Sequence, residues 1–130
     1  MSSTYCTRSD IETVFGTDNV SQWGDLNNTG VGATILARIT WAIGHIGDDF
    51  DSIAAIRHLR IPIQDQDGST PTFVRDLAAM AAGVLLYEGR GVEDVDREGN
   101  FIHRLAPIRD RVYRTFEQIR RGEREIPGAV

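Results

Sequence analysis

The stretch ILARITWAIGHIGDDFDSIA, residues 35–54, decides the fold of this chain. Its apolar side chains recur in steps of three and four residues over about five turns, a spacing that places them on one face of an α-helix. The pattern therefore predicts the longest helix of the molecule. Gly44 and Gly47 interrupt it, and each costs a helix about 1 kcal/mol relative to alanine unless a neighbouring backbone packs closely there. Near Gly47 the sequence accordingly allows a kink or a break.

A short helix is predicted close to the N-terminus. Thr7 is followed three residues later by Asp10, a capping-box pattern that starts the helix at Arg8. Gly16 suits a left-handed cap, so this helix covers about two turns. The following segment, residues 17–30, is rich in Asn, Asp and Gly and predicts a loop with at most one helical turn, around residues 19–23.

The middle of the chain alternates between extended and helical patterns. Pro62 forbids helix in residues 59–63, which are predicted to form an extended strap, and residues 64–70 are predicted to form a polar turn. Pro71 suits the first turn of a further helix, whose broad apolar face is rich in alanine and permits close helix crossings. Residues 89–91 end this helix.

The last helix carries apolar residues in steps of three and four: Leu105, Ile108, Val112, Phe116 and Ile119. Arg120 and Arg121 precede Gly122, an arrangement that favours a helix end, because cations stabilise the negative end of the helix dipole. The acidic segment before the helix, residues 91–100, is predicted to be a loop. Residues 123–130 are predicted to be a C-terminal tail.

These patterns together predict an all-α fold. We expect a single domain over residues 1–122, a small bundle of about four helices with one long central helix and the extended strap, followed by the tail at 123–130. No alternation of apolar and polar residues lasts long enough to predict a sheet.

Length and composition fit one globular domain. The chain has 130 residues, of which 41% are hydrophobic and 25% charged. Its net charge of −5 argues against a protein that binds nucleic acid or an anionic membrane over its whole surface. All 14 basic residues are arginine, which excludes a Schiff-base lysine or a P-loop lysine. The single cysteine, Cys6, allows no internal disulfide, so the sequence does not require an oxidising compartment. It also contains no apolar run of 18 residues that could span a membrane. We therefore expect the chain to fold in a cytoplasm.

Candidate metal and catalytic motifs are incomplete. Asp94, Asp96, Glu98 and Gly99 match the first half of an EF-hand loop, but the twelfth position, which needs a bidentate glutamate, is Leu105. A plain acidic loop is therefore expected.

Other acidic and histidine residues give no better site. His45 and Asp49 are four residues apart on the long helix, without further ligands at a suitable spacing. The run Asp48, Asp49 and Asp51 is interpreted as a solvated helix face. We expect no metal, no cofactor and no catalytic residues, hence a non-enzymatic protein.

Charge is distributed unevenly along the chain. From Arg97 onward there are eight arginines against five acidic residues, whereas the preceding residues are strongly acidic. Opposite charge at the two ends of one domain suits head-to-tail association of copies. An equally open interpretation is a solvated helix that carries pairs such as Asp110 with Arg114.

Several short motifs follow one another in a particular order along the chain: Tyr5, Thr7 and Asp10 before Phe15-Gly16, a long helix leading to Ile-Pro-Ile at 61–63, a helix ending in Leu86-Tyr87, and a last helix that stops at Ile119 to Gly122. In this order and spacing the chain resembles the small head–tail connector proteins of tailed bacteriophages and prophages, also called adaptor or head-completion proteins. The resemblance spans nearly the whole chain, from about Tyr5 to Ile126.

This resemblance implies a helical virion protein without catalytic residues. It implies a ring, dodecameric in form, that docks on the portal protein of the filled head and offers a platform to a stopper or tail-completion protein. DNA would only pass through its channel, and no membrane is involved. The location implied is the neck of the virion, after assembly in the host cytoplasm. Before it meets the portal, we expect the protein to be monomeric or weakly associated.

The resemblance also implies that the C-terminal segment grips the portal. On this basis the interface is expected to include Arg114, Arg120, Arg121, Arg124 and Ile126. The tail is expected to stay disordered or to become ordered by binding, so its deletion should leave the fold unchanged.

The alternative function is a small helical regulatory or nucleic-acid-binding module that uses the arginine-rich last helix. Acidic residues interleave with those arginines, and no helix-turn-helix spacing is present.

Overall fold

A computed structural model describes residues 3–26, 28–90 and 94–130. The elements in chain order are α1 (Arg8–Phe15), α2 (Thr17–Gly24), α3 (Gly32–Ile56), α4 (Thr72–Glu88), β1 (Asp94–Val95), β2 (Phe101–Ile102) and α5 (Ala106–Arg120). The mostly helical fold and its one long helix of 25 residues confirm the sequence prediction. The described residues contain five helices rather than four, together with a hairpin of two very short strands that the sequence analysis did not predict.

The first helix begins and ends at the predicted residues. The Thr7 hydroxyl accepts a hydrogen bond from the Asp10 amide at 3.2 Å, and the Asp10 carboxylate accepts one from the Thr7 amide at 2.8 Å. This reciprocal pair is a complete capping box. Gly16 ends the helix at φ 92°, a conformation that glycine adopts without strain.

The loop predicted for residues 17–30 was wrong in its first half. Residues 17–24 form the two turns of α2, which starts directly after Gly16. Val20 and Trp23 are buried, and the Trp23 ring lies edge-on to Phe15 with ring centroids 5.3 Å apart. Burial of these two side chains outweighs the low helix propensity of the Asn- and Asp-rich segment, which is why local composition gave the wrong answer.

The long helix α3 continues through Gly44 and Gly47 without a break. Gly47 is buried under the N-terminal segment, and a Cβ atom at this position would overlap the carbonyl oxygen of Ser3. The glycine therefore gives up helix propensity so that the backbone of Ser3 can cross the helix at close range. This is the close backbone approach that the sequence left open.

The helix at the centre of the domain is α4 rather than the longer α3. It contacts each of the other four helices. The residues that it buries are mostly small: Val74, Leu77, Ala78, Ala79, Ala81, Ala82, Gly83, Val84, Leu86 and Tyr87. Small side chains let the surrounding helices approach closely, and at Gly83 the Phe15 ring fills the space where a Cβ atom would stand. The sequence predicted that the long helix is the central one, but the length of a helix does not determine its position in the bundle.

The strap over residues 59–63 is non-helical, as predicted. Ile63 within it is fully buried, and its amide donates a hydrogen bond to the Tyr5 hydroxyl at 2.9 Å. In the polar turn that follows, one oxygen of Asp65 accepts hydrogen bonds from the amides of Asp67 and Ser69.

The C-terminal residues pack onto the domain, which corrects the expectation of an unpartnered tail. Ile126 is 7% exposed and belongs to the core. The amide of Val130 donates to the Gln64 carbonyl at 3.0 Å, and the Arg60 amide donates to the Val130 carbonyl at 3.3 Å. The tail contains few apolar groups, but its backbone forms hydrogen bonds with backbone groups of the strap and of the polar turn that follows it.

The two-stranded hairpin lies in the segment predicted to be an acidic loop. Strand β1 pairs antiparallel with β2, so that Asp94 lies opposite Ile102 and Val95 opposite Phe101. Asp96 shapes the connecting turn, since its carboxylate accepts hydrogen bonds from the amides of Glu98 and Asn100, each at 2.9 Å. Strands of two residues are too short to show an alternating pattern. Residues 91–93 of the predicted loop lie outside the described residues.

Candidate functional site

The structure does not bring the five predicted interface residues together on one surface. Arg114 is exposed on α5, whereas Arg120 and Arg121 both contact Glu117, Arg121 at 3.5 Å. Arg124 lies in a different cleft of the domain, beside α4. Ile126 is buried in the core of its own chain, so in this structure its side chain is not exposed to a partner.

A cleft between α4 and α5 holds two of the arginines. It has a volume of about 140 Å³ and is lined by Phe73, Asp76, Leu77, Met80, Arg111, Thr115 and Arg124. The Arg124 guanidinium lies over the Phe73 ring at 5.0 Å, a cation–π contact. Among the ion pairs of the described residues, none involves Arg111 or Arg124. The cleft therefore presents two cations and an apolar floor.

A larger groove, which we call the α3–α5 groove, runs between those two helices above α4. Its volume is about 290 Å³, and its lining residues are His45, Ile46, Asp49, Ala81, Val84, Leu85, Val112, Tyr113, Phe116, Glu117 and Arg120. The apolar members form the floor and the polar members form the rim. Of the predicted interface residues only Arg120 lies here. His45 and Asp49, four residues apart on the long helix, are the residues of this groove that the sequence pattern singled out, as an incomplete metal-ligand pair.

Neither the pair His45 and Asp49 nor the half EF-hand at 94–99 belongs to a group of side chains of the described residues that could bind a metal ion. Within residues 3–26, 28–90 and 94–130, no three His, Cys, Asp or Glu side chains are grouped so that they could hold a metal ion. Asp96 uses its carboxylate to cap the hairpin turn. Those backbone hydrogen bonds, the one from Asn100 foremost, lower its pKa.

Asp94 attaches the hairpin to the end of α4. Its carboxylate accepts a hydrogen bond from the Tyr87 hydroxyl and contacts Arg90 at 3.3 Å and Arg104 at 3.4 Å. The Tyr87 hydroxyl in turn accepts a hydrogen bond from the Arg104 amide at 3.0 Å. The Tyr87 bond and the two arginines lower the pKa of Asp94, while burial and then Asp94 raise the pKa of Tyr87. The first residue of the half EF-hand thus holds the hairpin in place.

The hairpin and the outer face of α3 are among the places where large apolar side chains are exposed. On the hairpin, Phe101 is 75% exposed and its cross-strand neighbour Val95 is 47% exposed. On the outer face of α3, Leu36 and Trp41 are about half exposed, with the Arg38 guanidinium 3.9 Å from the Trp41 ring. Sequence reasoning missed Phe101, because nothing in its neighbourhood distinguishes it from a core residue.

Comparison of the chain with protein-family models, with curated proteins and with solved structures finds no match. Among the described helices, none combines the length and the apolar character that a membrane crossing requires.

Proposed function

We propose that this chain is a head–tail connector, a non-enzymatic structural protein of the neck of a tailed bacteriophage virion. In this role copies of the chain form a ring on the portal protein and present a surface to a stopper or tail-completion protein. DNA passes through the ring without being a specific ligand. The proposal is supported by the order of sequence motifs from Tyr5 to Ile126, together with a compact helical domain that carries charged surfaces.

The observation that carries the proposal is the state of the arginines on and after α5. Arg109, Arg120 and Arg121 have carboxylate partners within the chain. Arg111, Arg114 and Arg124 take part in none of the ion pairs of the described residues. Arginines that take part in none of these ion pairs are available to the carboxylates of a partner protein, and bidentate pairing would give orientation as well as affinity.

The burial of Ile126 changes which part of the C-terminal region would meet the portal. An apolar residue that belongs to the core cannot anchor a partner unless the domain opens. Contact with the portal is therefore assigned to the exposed arginines, and the principal residues are Arg114 and Arg124, which take part in none of the ion pairs of the described residues. The docked tail then serves to fix Arg124 next to α4.

Negative-stain microscopy of the protein mixed with its candidate portal tests the proposal. We expect a ring on the portal with the wild-type chain, and weakened, salt-sensitive attachment for Arg114→Ala combined with Arg124→Ala. Arg75→Ala is the matched control, because Arg75 is an exposed arginine of α4 that pairs with the adjacent Asp76. Absence of any ring with the cognate portal would overturn the proposal.

The nucleic-acid-binding alternative has a separate test. A titration with duplex DNA at several salt concentrations would reveal binding that weakens steeply as salt increases, if arginines of α5 neutralise phosphates. The ion pairs that Asp110 and Glu117 make with neighbouring arginines reduce the positive charge of this helix. We therefore expect no binding to duplex DNA at physiological salt.

A further inference from the structure

The hairpin exposes apolar side chains, and the α3–α5 groove, in a different part of the same chain, has a floor of apolar side chains. We infer that copies of this protein associate head to tail, with the hairpin arm of one copy, residues 94–102, placing Phe101 in the α3–α5 groove of the next. The inference deepens the proposed function and rests on it in taking a second copy as the partner.

The arm presents an apolar side chain on a fixed base. Phe101 has the highest exposed fraction among the large apolar residues of the described chain, and the register of the hairpin sets Val95 directly opposite it. Burial of a phenylalanine side chain is favourable because it removes a large apolar surface from water, so an exposed Phe101 favours association. Asp94 holds the base of the arm through Tyr87, Arg90 and Arg104. Because the arm is ordered beforehand, binding would require little further loss of conformational entropy.

The groove provides a matching apolar recess. Its floor is formed by Ile46, Ala81, Val84, Leu85, Val112 and Phe116, and its volume is about 290 Å³. All of the lining residues come from α3, α4 and α5, so the arm of the same molecule does not occupy it. A recess of this size accommodates one aromatic side chain together with part of its cross-strand neighbour.

Charges at the two surfaces also match. Arg97 is exposed at the tip of the arm, while Asp49 lies on the rim of the groove and Asp48 lines the adjoining depression on α3. None of these three residues takes part in the ion pairs of the described chain. Arg120, also on the rim, is already paired with Glu117 of its own chain. Seating the arm would thus bring Arg97 to the two unpaired carboxylates and favour one orientation of binding.

Contact between two different surfaces of one chain has a consequence for symmetry. Such a heterologous contact leaves an unoccupied arm at one end and an unoccupied groove at the other, so further copies add until a ring closes or a filament grows. A contact between identical surfaces would instead stop at a dimer. The arm-in-groove contact therefore supplies the type of interface that a ring requires.

Complementation between two defective variants tests this inference. Phe101→Ser removes the apolar side chain of the arm, and Asp48→Arg with Asp49→Arg places repulsive charge beside the groove. We expect each variant alone to associate at least tenfold more weakly than the wild type in sedimentation velocity. A mixture of the two should form a 1:1 complex and nothing larger, because only one intact arm and one intact groove remain.

Two controls carry matched substitutions at other places. Ile56→Ser removes an exposed apolar side chain from the end of α3, and Asp67→Arg reverses an exposed acidic charge in the polar turn. Both should associate as the wild type does. Melting temperatures close to that of the wild type establish that the variants fold.

Nuclear magnetic resonance detects the contact between the two variants even when their association is weak. Isotope-labelled Phe101→Ser protein is titrated with the unlabelled Asp48→Arg, Asp49→Arg variant up to about millimolar concentration, where a Kd of about 1 mM is visible. Saturable shifts at amides of the groove, such as those of Ala81 and Val112, support the inference. Their absence, or shifts confined to other surfaces, would overturn it.

The two proposals can fail independently. A 1:1 complex of the variants without any ring on the cognate portal supports the arm-in-groove contact and contradicts the connector function. A ring on the portal that the Phe101→Ser variant forms as readily as the wild type supports the connector function and contradicts the arm-in-groove contact.

Discussion

The hydroxyl of Tyr5 donates a hydrogen bond to the carboxylate of Asp51. The same hydroxyl accepts one from the amide of Ile63 at 2.9 Å, and the amide of Ser3 donates to the other oxygen of Asp51 at 3.2 Å. Two side chains thus join the N-terminal segment, α3 and the strap. The Tyr5 ring also packs against Phe50, with ring centroids 5.3 Å apart.

Replacing Tyr5 with phenylalanine tests how much this junction stabilises the fold. The substitution keeps the ring but leaves the buried Ile63 amide without its acceptor, so we expect a loss of about 1–3 kcal/mol in the free energy of unfolding. Urea denaturation measures it. Tyr113→Phe is the control, because Tyr113 is 53% exposed and should change stability far less. Equal stability of the two variants would contradict the role of the junction.

Alkaline pH should unfold the protein through two buried groups. Burial and the bond to Asp51 raise the pKa of Tyr5 from 10.0 to about 12, and burial raises the pKa of Cys6 from 9.0 to about 12. Both groups hold their protons more tightly in the folded state than in the unfolded state. Their contribution to the free energy of unfolding is therefore complete below the pKa of the unfolded state, and it is lost as the pH rises towards the pKa of the folded state.

We therefore expect stability to fall between pH 9 and 12. Each group lowers the free energy of unfolding by at most about 1.4 kcal/mol per pH unit. Thermal melts in a pH series measure the slope. In Cys6→Ala the decline should begin nearer pH 10, where the phenol of Tyr5 starts to titrate in the unfolded chain. An unchanged onset would contradict this explanation.

Gly44 and Gly47, both inside α3, should respond in opposite ways to substitution by alanine. Gly47→Ala places a Cβ atom against the carbonyl oxygen of Ser3, so the N-terminal segment must move and stability should fall by about 1–3 kcal/mol. Gly44 lines a depression on the outer surface of α3. Gly44→Ala should therefore raise stability by up to about 1 kcal/mol through helix propensity. Thermal denaturation compares them, and a loss at both positions would show that the outer surface is also tightly packed.

Replacing Ile126 with alanine should destabilise the domain, whereas the sequence predicted that the tail can be deleted without effect on the fold. The side chain is 7% exposed, and removing such a buried isoleucine side chain costs about 2–4 kcal/mol. Glu125→Ala, at the exposed neighbouring position, should leave the melting temperature unchanged. A deletion of residues 123–130 with wild-type stability would contradict the packing of the tail.

Calcium should leave the melting temperature unchanged. Asp94 is engaged with Tyr87 and two arginines, and Asp96 caps the hairpin turn, so the half EF-hand has few oxygens left for a cation. Melts with excess calcium and with chelator should coincide. A rise of several degrees with calcium would show that the hairpin rearranges around the ion.

Local patterns by themselves determined most of the helical architecture. The capping box at Thr7 and Asp10 fixed the start of α1, and the three- and four-residue steps through residues 35–54 identified the long helix. Pro62 predicted the strap, and Gly122 the end of the last helical segment. Caps, periodicity and proline act over a few residues, so their effects are visible in sequence.

Tertiary packing decided the features that depend on distant residues. Val20 and Trp23 make α2 helical because they bury against the domain, and Ser3 explains why a glycine stands at position 47. Ile126 is buried because the strap, more than sixty residues earlier in the chain, lies beside the tail. The α3–α5 groove forms only where three helices meet, and the exposure of Phe101 depends on how Asp94 attaches the hairpin. Contacts across such separations follow from the folded arrangement as a whole, because burial depends on which elements become neighbours and local sequence does not specify that.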